Sequence, residues 1–167
     1  MPKTYEPIQT TTLTSAQTSV TLSAISGAYT DLVLIMNIKA TSAGSTDINL
    51  NFNSDTTALY SRTILAGNGT SALSARSSGA TTIQLNNWSA ATTTNTNFNA
   101  IVNVMNYSNT TTFKTVLNRS NNADNATEAL VSLYRSTNAI TSMQITPGAS
   151  RAFDTGSTFT LYGIKAA

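Results

Sequence analysis

The strongest constraint on this chain is a period-two alternation of apolar and polar side chains, repeated in short runs. Between Asp47 and Asn53, the apolar Ile48, Leu50 and Phe52 alternate with Asp47, Asn49, Asn51 and Asn53. Successive side chains of a strand point to opposite faces, so such a run has one apolar and one wet face. Thr82–Asn86, Ser19–Leu22 and Ser157–Tyr162 repeat the pattern. These segments read as half-buried antiparallel strands. Leu32–Ile38 and Phe98–Met105 differ in being apolar on both faces. They read as central strands whose second face must be covered by a loop, an arm or another subunit.

Further strands are expected near 60–66, 112–119, 128–135 and 139–146, separated by clusters of Asn, Ser, Thr and Gly that favour turns. About ten short strands with no helical period predict an all-β chain. The expected architecture is a single jelly-roll-like antiparallel β-sandwich. Two regions lack clean alternation. Residues 1–14, with Pro2 and Pro7, read as an extended N-terminal arm preceding a sandwich domain over 15–167. Residues 66–80, rich in Gly, Ser and Ala, read as a long irregular loop.

Composition narrows the chemistry. Thr, Ser and Asn make up 69 of the 167 residues, while only 10% are charged. Thr suits a half-exposed pleated surface because it is β-branched. The net charge of +2 is spread along the chain, whereas phosphate-backbone binding requires a concentrated one, so nucleic acid is not an expected partner. With neither His nor Cys, the usual general base and the thiolate nucleophile are both missing. The lysines Lys3, Lys39, Lys114 and Lys165 form no Ser-x-x-Lys spacing. The seven acids, Glu6, Asp31, Asp47, Asp55, Asp124, Glu128 and Asp154, fall mostly at strand ends and turns. Asn121–Glu128 offers hard oxygen atoms for calcium, but reads first as an Asn/Asp-rich turn. The expectation is therefore no enzyme, no catalytic residue, no cofactor and no metal. Neither a secretory signal nor an apolar run of membrane-spanning length is visible, so synthesis in the cytoplasm and no membrane partner are expected.

Residues that stand out are candidates for contact. Trp88, the one tryptophan, follows Asn86 and Asn87 at a strand end, where such a residue plugs the end of a sandwich or anchors an interface. Tyr5, Pro7 and Ile8 either pair along the domain's own edge or lie on a neighbouring subunit as an added strand.

Met1–Ile8 with the Thr run after it resembles small virion proteins of tailed bacteriophages, especially those of marine cyanobacterial phages. So do Tyr29–Leu34, Tyr60–Thr63, Asn106–Thr111 and Gly156–Ile164. The similarity covers nearly the whole chain, in strand and turn segments without a chemical signature. It implies a structural role in the virion, with an outer-capsid decoration or cement protein as the favoured form. The implied partners are the major capsid protein and further copies of the chain, a trimer being favoured. The implied location is the outer capsid surface. The ending also resembles the terminal strand of tail-fibre and receptor-binding domains. A tail-borne protein recognising host glycans is therefore the alternative, with Trp88, Tyr107 or Tyr134 as sugar-stacking rings.

Overall fold

The computed structural model describes residues 4–41, 46–88, 96–148 and 151–165. Twelve strands form, in chain order: β1 (Tyr5–Thr12), β2 (Val20–Leu22), β3 (Asp31–Ile38), β4 (Ile48–Phe52), β5 (Tyr60–Gly67), β6 (Ala72–Ala80), β7 (Ile83–Gln84), β8 (Phe98–Met105), β9 (Lys114–Asn122), β10 (Ala126–Tyr134), β11 (Met143–Pro147) and β12 (Thr158–Ile164). They make an eight-stranded sheet, β1-β12-β3-β8-β9-β10-β5-β6, and a four-stranded sheet, β2-β11-β4-β7. Every pairing is antiparallel. The fold is a jelly-roll-like β-sandwich with one sheet twice as wide as the other.

The alternating runs do what their period dictates. Leu32, Leu34, Met36 and Ile38 of β3, Val102 and Val104 of β8, and Phe159 and Leu161 of β12 join Ile48, Leu50 and Phe52 of β4 in one core. Phe153 meets Phe159 edge-on at 5.1 Å between ring centroids.

The two segments expected to be irregular are both strands. Residues 5–12 pair with β12 along the domain's own edge, with a register shift between Pro7 and Gln9. Residues 72–80, read as part of a loop, pair with β5 across an Asn68–Ser71 turn. Their lack of alternation has a physical cause. β1 and β6 are the outermost strands of the wide sheet, and β6 is exposed on both faces. Backbone hydrogen bonds hold it, and no face selects for apolar side chains. Twelve strands therefore form among the described residues where about ten were expected.

A buried aromatic cluster ties the sheets together at one end. Tyr60 and Tyr134 stack at 4.8 Å, and Phe52 of the narrow sheet lies 5.5 Å from Tyr134. The Tyr134 hydroxyl donates to Asp55 Oδ2 at 2.8 Å, and the Tyr60 hydroxyl to the Asp55 carbonyl at 3.0 Å. Burial, then the bond to Asp55, pushes the Tyr134 phenol up to about 12 from its ordinary 10.0. Burial raises Tyr60 and Tyr107 in the same direction. A phenol whose folded pKa exceeds its unfolded one contributes stability that is complete below the unfolded value and lost as pH rises through the folded value. The unfolding free energy is thus expected to hold up to about pH 9 and to fall by roughly 3 kcal/mol between about pH 10 and 12 from Tyr134 alone. Denaturant titrations across that range test this, and a flat profile would contradict it.

Candidate partner-binding face

The wide sheet has two faces of different character. Its inner face meets the narrow sheet over β12, β3 and β8 and, at one end, through Val116, Tyr134 and Tyr60. Beyond that overlap the inward side chains turn polar: Asn118 and Ser120 of β9, Glu128 and Ser132 of β10, all buried. A loop, not a strand, covers them. The Leu85 carbonyl accepts from Asn118 Nδ2 at 2.6 Å and from Ser120 Oγ at 2.9 Å. Arg62 Nη1 donates to the carbonyls of Gln84 and Asn86 at 3.1 and 2.9 Å. Burial lowers the Arg62 pKa, an effect that attraction to Asp47 and Glu128 opposes.

This loop positions Trp88. The two carboxylate oxygens of Glu128 accept the N–H groups of Asn87 and Trp88 at 2.7 and 2.6 Å, and Asn125 Nδ2 donates to the Trp88 carbonyl at 2.7 Å. The indole is half-buried against a satellite cluster of Ile64, Ala66 and Leu130, with Leu73 beside it. Charge-assisted bonds of this kind are worth about 1.5–3 kcal/mol each at most. Glu128→Ala is expected to cost about 2–3 kcal/mol and to shift Trp88 fluorescence to the red as the loop loosens. An unchanged emission spectrum would show that the carboxylate does not hold the indole.

The outer face of the wide sheet is different. The second faces of β3 and β8 are open only in part: Val33, between Asn103 and Tyr162, is buried, and the side chains farther along are not. Ile35 stands opposite Ile101, and both are exposed. One step along, Leu117 stands opposite Val131, and these are 42% and 44% exposed. Met105 and Leu65 extend the band, Leu65 being 61% exposed and opposite Ala129. From β3 to β5 the band crosses five adjacent strands, about 20 Å at the usual strand spacing. Arg119 is the only charged side chain outward on β8, β9 and β10; Asn103 and Thr115 fill the gaps. Arg119, opposite Ile101 and Ala129, interrupts the row from Ile35 to Leu65, and the apolar side chains continue beside it through Leu117 and Val131; an exposed apolar patch of this kind marks an interaction site.

The sequence candidates are not brought together. Tyr5 and Pro7 are exposed on β1, at one edge of the wide sheet, while Ile8 is half-buried against the main core. Trp88 lies near the opposite edge, behind β5 and β10. Tyr107 and Tyr134, named as sugar-stacking rings, are buried. Their hydroxyls are occupied by the Ser26 carbonyl and Asp55, so neither offers a ring to a sugar. The residues that reading the sequence missed are Leu65, Leu117 and Val131. The signal for Ile35, Ile101 and Met105 was present, in strands apolar on both faces.

By its architecture the chain is an antiparallel β-sandwich with one sheet face left apolar and open. No family model matches the chain, and no curated protein matches it either.

Proposed function

We propose that this chain is a binding protein without enzymatic activity, a structural component of a tailed-phage virion that decorates and stabilises the outer capsid. The observation that carries the reading is the open apolar face from Ile35 to Leu65. A band with six exposed large apolar side chains and, between β3 and β5, Arg119 as the outward cation of β8, β9 and β10 suits a permanent, repeated contact. Apolar contact is weakened little by salt, whereas exposed ion pairs are screened. The resemblance of the strand and turn segments to small phage virion proteins supplies the partner, the major capsid protein. The glycan-binding alternative is weakened by the burial of Tyr107 and Tyr134, which leaves Trp88 as its one ring.

An antibody against the purified chain tests this directly on intact, purified particles of a tailed phage whose genome encodes the chain. Regularly spaced label on the head is the expected result. Label confined to the tail would assign host recognition instead, and chain left wholly outside the particles would remove the virion role.

A further inference from the structure

The two sheets have four edges, and three are blunted. β2 and β7 are three and two residues long, too short to template a partner strand. β1 carries Pro7 and a register shift beside it. Thr4 accepts from the Lys165 N–H, so Thr4 and Glu6 face β12 while Tyr5 and Pro7 face outward, and Pro7 has no N–H to offer there. Proline and irregular register are the usual means of closing an edge.

The fourth edge pairs with no other described strand. β6 is nine residues long, contains no proline, and keeps its register with β5 unbroken from Ala72 to Ser78, its one irregularity falling at Gly79 near the end. Every residue but Leu73 and Ala80 is exposed. Asn68 donates its N–H to the Ser71 carbonyl at 3.2 Å, so Ser71 faces β5. In an antiparallel ladder the facing residues alternate. Leu73, Ala75 and Ser77 therefore bond to β5, and Ala72, Ser74, Arg76 and Ser78 turn their N–H and C=O groups to solvent.

We propose that this edge takes up an extended segment of a partner protein as a ninth strand, one bearing an Asp or Glu opposite Arg76. Charge decides the occupant. Arg76 is the middle residue of β6 and the strand's one charged side chain. It points to the outer face with Thr63 beside it, and forms no ion pair with a described residue. A second copy pairing antiparallel along the full strand would set Arg76 against its own counterpart, and like charges directly opposite are destabilising. A carboxylate in that place is favourable, and small side chains along β6 leave room for larger ones on the incoming strand. The main chain would supply affinity and Arg76 the selectivity. This inference does not rest on the virion reading.

The test uses the full chain, a nine-residue peptide (the length of β6) of alternating Thr and Val with Glu at its centre, and a twin with Lys there. The Glu peptide is expected to slow hydrogen exchange at the Ser74 and Arg76 amides. It should bind about fivefold to tenfold more tightly than the Lys twin. Ser74→Pro deletes one outward donor and no bond to β5, so it should abolish binding with the β9 and β10 resonances unchanged. Should that variant disturb the hairpin, Arg76→Glu still reports, since it should reverse the preference between the twins. Equal binding of the two peptides overturns the proposal. So does absence of protection at about 1 mM peptide, or a stable dimer of the chain that Ser74→Pro dissolves.

Discussion

A Leu117→Asp, Val131→Lys double variant should lose at least about 100-fold in affinity for assembled capsid shells while remaining folded. The two residues stand opposite each other on β9 and β10, in the middle of the open face. Replacing them with an opposite-charge pair keeps a favourable cross-strand contact, worth about 0.2–1 kcal/mol, so the sheet is not strained. Docking is affected differently. Each lost apolar side chain removes about 1.5 kcal/mol or more of burial, and two charges must then be stripped of water against an apolar partner, which costs several kcal/mol more. Co-sedimentation with shells measures the loss, and the thermal midpoint of the free protein checks the fold. Tyr5→Ala, at the rim of the same sheet, should weaken binding by less than about tenfold. Unchanged co-sedimentation of the double variant would show that the partner sits elsewhere, and with it would go the argument for capsid decoration from this face.

The legibility of the fold in the sequence follows burial closely. Where one face of a strand is covered, as in β4, the pattern from Asp47 to Asn53 predicts the core set: Ile48, Leu50 and Phe52 have no exposed surface, while Asn51 on the other face is buried as well, its amide donating to the carbonyls of Asp55 and Thr81. Where neither face is covered, as in β6, no pattern exists to be read. β9 and β10 are a third case. Their inward positions mix apolar Val116, Leu130 and Tyr134 with polar Asn118, Ser120, Glu128 and Ser132, of which Asn118, Ser120 and Glu128 bond to the loop over them, while Leu117 and Val131 face out. Residue type alone inverts the two faces there, and only the hydrogen bonds to Leu85, Asn87 and Trp88 reveal it. The open face was half legible, since β3 and β8 announce two apolar faces. Its continuation across β9, β10 and β5 depends on which strands become neighbours, information carried by no single segment.

Tyr134→Ala should be among the most damaging single changes, costing about 3–5 kcal/mol. That is a large fraction of the roughly 5–15 kcal/mol that separates a folded domain from its unfolded chain. The ring joins β10 to β5 through Tyr60 and to the narrow sheet through Phe52, so its removal opens a cavity between elements that cannot simply collapse together. Tyr134→Phe isolates the hydroxyl. Asp55 lies close to solvent and is also held by the Thr57 N–H and hydroxyl, which lower its pKa, so losing the Tyr134 bond should cost only about 1 kcal/mol at neutral pH. The same variant removes the phenol whose folded pKa is raised, and the decline between about pH 10 and 12 should shrink by roughly 3 kcal/mol. Above about pH 11 Tyr134→Phe should therefore be the more stable protein. Denaturation curves of the two proteins at neutral and alkaline pH give both numbers. Parallel pH profiles would mean that the phenol ionises as readily in the fold as outside it, contrary to its burial against Tyr60 and Phe52.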